Sequence, residues 1–280
     1  MDNLTLKSGN DNLLELFFYV DDLVKVIKKN HKVGRKPTLC LSEIMVISII
    51  KSQYGIRTWK QLYELIRDRF DTEFVIPTYK NFVCQMNQSS KAILLLMNII
   101  MYLNYLKSGV IKIMDSTAIP VCKNLRIWRH KVCKSIASKS KTTTGWFYGL
   151  KLHILSDVNG NILMIKFSTG KTDDRVALSR IFEQIHDSLV LAGAGYLSKH
   201  LEKKALLNNN FLLTCGRKNQ KKIATILHIV LLNLRPRIES IFSVLKERLN
   251  LITSLPRSVN GYMSHYIHVI FGYLFVKVIS

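Results

Sequence analysis

Near Gly109 the periodicity of the chain changes, and that change limits the folds open to it. Upstream, apolar residues recur at helical spacing, as where Leu13, Leu16, Phe17, Val20, Val24 and Ile27 fall near one face of a helix over residues 13–29. Downstream, residues 110–114 form a short apolar run with Lys112 its only polar member, the pattern of a buried strand. That run ends on Asp115-Ser116-Thr117. Two more strands, 147–156 and 162–168, are joined by Asp157-Val158-Asn159-Gly160. Asn-Gly at that place favours a tight hairpin, because the turn needs positive φ at its centre. A helix over 176–188 follows, with Asp173 or Thr172 as its N-cap. Then come a strand over 189–192, a helix over 198–207, a strand over 211–215 and helices from about 223 onward. A hairpin followed by alternating helix and strand predicts a mixed α/β sheet flanked by helices.

The first third reads as all-α. Gly34-Arg35-Lys36-Pro37 is a short basic linker; Ser42 and Glu43 open a second helix running to about Gln53, and Gly55 breaks it. Thr58 caps a third helix over 59–70. Helix, glycine-containing turn and helix make the outline of a helix-turn-helix, which an ordinary helical hairpin shares. The apolar runs 92–106 and 262–279 are expected to be buried core helices. The first is short of the ~20 residues of a membrane span and is broken by Asn98 and Asn104; the second carries His265, His268 and Lys277. The expected division is a helical region over 1–107, with the helix-turn-helix as a DNA-binding element, and an α/β domain over 108–280.

Charge narrows the class of partner. Forty-one Lys and Arg against nineteen Asp and Glu give a net charge of +22. A polyanion would relieve the resulting self-repulsion, and nucleic acid is the natural one, since neutralising phosphates releases counterions. Five scattered cysteines, Cys40, Cys84, Cys122, Cys133 and Cys215, argue for a reducing compartment rather than a disulfide framework. Cys122, His130 and Cys133 lie close in sequence, but their spacing is not that of a structural zinc site. The first residues lack the basic stretch and apolar core of a signal peptide, so the expected compartment is the cytoplasm.

Strand order carries a geometric expectation. If the first strand ends at one rim of the sheet, its antiparallel partner starts there and the third strand returns to it. The helix from about 176 leads away and the strand over 189–192 comes back. The rim should therefore gather Asp115, Thr172-Asp173-Asp174-Arg175 and Gly193, where binding sites of α/β sheets collect. Near the other end of the domain, Arg235, Glu239 and Lys246 would share one helix face. An ordinary solvated amphipathic helix, with Ile238, Ile241, Phe242 and Leu245 as its core side, fits the same residues.

Several of these segments resemble one family. Ile113-Met114-Asp115-Ser116-Thr117 is similar to the first catalytic-Asp motif of DDE transposases. The segments Val121-Cys122 to Lys131-Val132, Gly145-Trp146-Phe147-Tyr148-Gly149-Leu150-Lys151-Leu152-His153, Thr172-Asp173-Asp174-Arg175, Gly195-Tyr196-Leu197-Ser198-Lys199 and Arg237-Ile238-Glu239-Ser240 resemble the insertion-sequence 982 family. Gly34-Arg35-Lys36-Pro37 and Leu41-Ser42-Glu43 extend the likeness to the N-terminal part. The resemblance implies a ribonuclease H-like fold and a bacterial insertion-sequence transposase. Such an enzyme binds double-stranded DNA at terminal inverted repeats as a homodimer, without a membrane, and cleaves and joins strands with two Mg²⁺ ions held by three carboxylates. Carried over by motif, the first acid is Asp115 and the third Glu239, with Arg235 and Lys246 as their companions. A Tyr of the family signature is Leu232 here. The second acid belongs where this chain has Gly193, which offers no ligand. Asp173 and Asp174 are the only acids expected near enough to substitute. The resemblance therefore implies a copy impaired in catalysis; the alternative is a DNA-binding remnant or a regulator of related elements.

Residues 123–141 carry Lys123, Arg126, Arg129, His130, Lys131, Lys134, Lys139 and Lys141 with no acid among them, a composition suited to phosphate contacts. Because the segment leaves the strand of Asp115, it is expected to overhang the rim. Trp128 and Trp146 are placed to stack on unpaired bases, or to pack against the sheet. A second basic cluster, Arg217-Lys218 with Lys221-Lys222, either lines the same groove or is simply solvated.

Overall fold

The structure, a computed structural model, describes residues 10–27, 36–143, 145–215 and 225–279. Gly34 and Arg35 of the basic linker, and the cluster Arg217, Lys218, Lys221 and Lys222, lie outside the described residues. The chain forms two compact units: Met1–Ile100 with Leu245–Ser280, and Met101–Val244. The sequence reading divides the chain at 107/108 and keeps its C-terminal part with the α/β sheet. Here residues 245–280 group instead with the N-terminal helices, because the last helix packs on the second.

In the helical unit, α1 (Asn10–Lys25), α2 (Leu41–Gln53) and α3 (Trp59–Arg69) are followed by the 29-residue α4 (Tyr79–Lys107), whose residues from 101 on belong to the second unit, and α9 (Val259–Ile279) returns to them. α2 starts one residue earlier than its Ser-Glu signal. Cys40 is the N-cap, its backbone N–H donating to Glu43 Oε2 at 2.6 Å. Thr58 and Gln61 close a capping box on α3. α2 and α9 are buried on nearly every side, which is why neither sequence shows a polar stripe. Their crossing is close. A Cβ on Gly272 would stand 1.7 Å from Ser52 Oγ, so only glycine fits there. One turn earlier, His268 Nδ1 lies 2.6 Å from Ser48 Oγ and Nε2 lies 2.8 Å from the Met86 carbonyl. Burial drives His268 down to about 4 and His265 to about 3, so both rings are neutral. Lys51, 2% exposed, sits 5.6 Å over the Trp59 ring, and burial lowers its ammonium to about 8.

α4 departs from the expected core helix. Phe82, Met86, Ile93, Leu96, Met97 and Met101 are buried, but Leu95, Tyr102, Leu103 and Leu106 are exposed. By length and composition it could cross a membrane; its apolar surface is buried along one side only.

The second unit is a mixed α/β sheet of six strands: β1 (Ile111–Cys122), β2 (Ser138–Thr142), β3 (Gly145–Asp157), β4 (Ile162–Thr169), β5 (Leu189–Ala192) and β6 (Phe211–Thr214). Their order is β2-β3-β1-β5-β6, with β4 also paired to β3. β1 and β3 are antiparallel from Lys112↔Asp157 to Cys122↔Tyr148, whereas β1–β5 and β5–β6 are parallel. The expected hairpin forms between β3 and β4. Asp157 Oδ1 accepts from the backbone N–H groups of Asn159 and Asn161, each at 2.8 Å, which ties the turn together. α5 (Asp174–Ile181) and α6 (Lys199–Leu206) cover a core of Met114, Leu155, Leu178, Ile181, Phe182 and Val190. α7 (Ile226–Leu232) and α8 (Pro236–Ser243) complete the unit, α8 packing on β1.

Three elements differ from the sequence reading. β1 does not end at residue 114 but continues to Cys122, because β3 pairs with it along its whole length. β2, built from Ser-Lys-Ser-Lys-Thr, is a strand that the pattern does not predict; it pairs with the outer edge of β3. α5 is shorter than the expected 176–188 helix.

Candidate active site

The site lies where the sheet forks. Met114↔Ala192 is the last pair joining β1 to β5. β5 stops there, while β1 runs on beside β3 alone. Asp115 is the first residue past the fork on one strand, and Gly193 the first on the other. The sequence expectation that these two positions share a rim is met, although Asp115 lies within its strand rather than at its end.

A long-range contact brings in the third position. Arg235 immediately precedes α8, whose first turn holds Pro236 and Glu239. Its Nη2 donates to Asp115 Oδ2 at 2.5 Å, and its Nη1 lies 3.4 Å from Glu239 Oε1. One guanidinium thus joins the two carboxylates that the resemblance singles out. The other Asp115 oxygen accepts the Ser116 backbone N–H at 2.9 Å. Burial raises the Asp115 carboxyl above its usual range, against the opposing pull of Arg235.

Gly193 has φ −69°, ψ 167°, a conformation open to any residue. The atoms nearest a Cβ built on it all belong to the Arg235 guanidinium, with Nη2 at 3.4 Å and Nε at 3.5 Å. That Nε is buried and has no hydrogen-bond partner. The unpaired donor and the missing side chain therefore face the same space.

The two acids expected near enough to substitute separate. Asp173 caps α5, accepting from the Arg175 N–H at 2.9 Å, and pairs with the Arg175 side chain, whose hydrogen bonding holds its carboxyl below the usual range. Asp174 faces the site and acts electrostatically on Asp115, but its Oδ1 is held by Lys151 Nζ at 2.9 Å. Lys151 also donates to the Thr172 carbonyl at 3.0 Å. Lys151, His153 and Tyr196 are site neighbours that the sequence reading does not single out. Lys151 and His153 are polar residues two apart in the apolar run 147–155 of β3, a signal that marks a shared face. His153 Nε2 lies 2.8 Å from Ser168 Oγ, and burial lowers the ring to about 4. The Tyr196 hydroxyl is buried near Asp115 and Asp174, with Ser116 beside it but no hydrogen bond of ordinary geometry; burial raises its pKa strongly.

These residues do not fit a two-Mg²⁺ centre as they stand. Among the described residues no three His, Cys, Asp or Glu side chains converge as a metal-holding group. Gly193 supplies no side-chain oxygen, and Arg235 takes the space between Asp115 and Glu239. Lys246 lies past the end of α8 in a π-helical turn, Val244–Arg248, so the regular helical spacing that put it on the face of Glu239 does not hold. Burial lowers its ammonium.

The basic segment is placed differently from the expectation. It starts after Cys122, seven residues beyond Asp115, or ~23 Å along an extended strand at ~3.3 Å per residue. The segment thus begins well beyond Asp115 along the strand, and β2 pairs it back to β3. Lys123, Arg126, Trp128, Arg129, Lys131, Lys134, Lys139 and Lys141 are all exposed. Trp128, in a 3₁₀ turn over Asn124–Arg129, is 96% exposed and so does not pack against the sheet. Trp146, half exposed, is flanked by Lys139 and Lys141 of β2, with Nζ at 4.9 and 6.0 Å from its ring. His130 serves the fold instead. Its Nε2 accepts from the Cys133 N–H at 3.3 Å, its ring meets Tyr148 edge-on, and burial lowers its pKa.

Comparison with known proteins agrees with this architecture. Residues 106–259 match the family model described as transposase DDE domain. Among solved structures, the chain is similar to the piggyBac transposase synaptic complex with hairpin DNA, at 9% identity and a TM-score of 0.53, covering 97% of this chain and 73% of that one. At that identity the likeness shows the fold, that of the ribonuclease H-like transposases. A pre-cleavage Mos1 transpososome matches at 12% identity with a TM-score of 0.25, covering 91% of this chain and 82% of that one; a score so low carries no argument. No curated protein matches the chain.

Proposed function

The chain belongs to the transposase DDE-domain family, and on that premise we propose that it descends from a bacterial insertion-sequence transposase of the 982 family, binds the element's terminal inverted repeats as a homodimer, and is impaired in strand cleavage and transfer. The observation that carries this reading is the fork at Met114↔Ala192. Asp115 and Glu239 are joined there through Arg235, and the place of the second acid holds Gly193. Asp115 and Glu239 take the roles of first and third catalytic acids in this reading, with Arg235 as their companion. Asp174, tied to Lys151, and Asp173, tied to Arg175, do not replace the lost carboxylate. No chemical step is assigned to a metal in this chain, because the donor set is incomplete.

DNA binding in this reading rests on the exposed cations of residues 123–141, with Trp128 exposed to stack on an unpaired base. The helix-turn-helix of α2 and α3 is a second contact, made through the exposed face of α3 because α2 is buried.

The second reading is a folded DNA-binding regulator or remnant without chemistry, which the Arg235-bridged carboxylates favour. Both readings require binding to duplexes that carry the terminal repeats; they part at cleavage. Mg²⁺-dependent nicking of such duplexes should be weak or absent in the natural sequence and should rise in Gly193→Asp. Robust nicking by the natural sequence would overturn the impairment, and failure to bind DNA at all would overturn both readings.

A further inference from the structure

We propose that Arg235 is the resident cation of the Asp115–Glu239 pair, so that its engagement and the binding of a divalent ion there exclude one another. This rests on the reading above only in taking a divalent metal as the competitor. Three observations carry it. The guanidinium reaches both carboxylates, at 2.5 and 3.4 Å, and a planar fork can hold two acids at once where an ammonium meets them as a point charge. Both Arg235 and Asp115 are largely withdrawn from water, at 26% and 18% exposure, so their attraction is only partly screened. The remaining Nε, buried and unpaired, lies 3.5 Å from the point where a Cβ on Gly193 would stand. A Cβ at that position would meet the guanidinium at ordinary van der Waals distance. The guanidinium already stands at contact distance between the two carboxylates, so a metal ion that bridges them has to take its place.

The consequence reverses the usual expectation for an arginine at an active site: removing it should improve metal binding. Mn²⁺ binding to the full-length protein, without DNA, is read by calorimetry and by the fall of the free-ion electron paramagnetic signal. Arg235→Gln should bind Mn²⁺ on the order of tenfold more tightly than the natural sequence, as expected when a competing cation leaves a carboxylate site, and Asp115→Asn added to it should abolish the gain. Arg235→Lys keeps a charge but gives up the fork, and should fall between the two. If Arg235→Gln does not fold, Arg235→Lys decides, and affinity no tighter than the natural sequence overturns the proposal. Equal or weaker binding by a folded Arg235→Gln also overturns it. Failure here leaves DNA binding untouched, so it is distinguishable from failure of the transposase reading.

Discussion

The guanidinium of Arg235 stands 3.4 Å from the point where a Cβ on Gly193 would be, and the nearest atoms around that point all belong to it. Nothing in the backbone asks for glycine at that position, since its φ of −69° suits any residue. An aspartate there would accept from the unpaired Arg235 Nε.

Gly193→Asp should therefore fold normally. Urea denaturation should show unchanged stability or a gain of up to about 1.5 kcal/mol, the size of one charge-assisted hydrogen bond. Destabilisation by more than about 1 kcal/mol, the net worth of an ordinary hydrogen bond, would mean that the space at Gly193 is not open.

Lys51 offers a pH prediction. Its folded pKa, about 8, lies below the ordinary 10.5, so between those values the unfolded chain binds the extra proton. Stability should rise with pH across that window, by linkage. Lys51→Met should remove this contribution to the slope and stabilise the fold at pH 7 by about 1–3 kcal/mol, because the buried charge is gone. The comparison needs denaturation curves of both proteins at several pH values, and identical slopes would refute it.

At the crossing of α2 and α9, Gly272→Ala should destabilise by roughly 1–3 kcal/mol, despite the better helix propensity of alanine, because the new methyl overlaps Ser52. Ser52→Gly in the same chain should restore part of the stability. An additive double mutant would place the strain elsewhere.

On the basic segment, Lys131→Glu with Lys134→Glu should weaken DNA binding and flatten its dependence on salt, by about 0.9 in the log–log slope for each phosphate that is no longer neutralised. An unchanged slope, read by fluorescence anisotropy across salt concentrations, would move the DNA to another face. His130→Ala should act differently. Its ring supports Cys133 and Tyr148, so the change should lower stability and leave the salt slope alone.

What the sequence makes legible follows local pattern. The Asn159-Gly160 hairpin, the Asp173 cap and the Arg235–Glu239 spacing are decided within a few residues, and all three appear as expected. β1 reads shorter than it is, because Asp115-Ser116-Thr117 breaks the apolar run while hydrogen bonds to β3 continue past it. β2 carries no apolar alternation to betray it; only the free edge of β3 makes it a strand. The Arg235–Asp115 contact links positions 120 residues apart, and no periodicity reports such a pair.

The fork between β1 and β5 also separates two kinds of robustness. The core beneath it is held by Met114, Ala192 and their neighbours, of which only Tyr196 also reaches the site. One residue further along each strand, a side chain can vanish and leave the packing intact. A substitution at that step can therefore change the site while the sheet and its core stand unaltered.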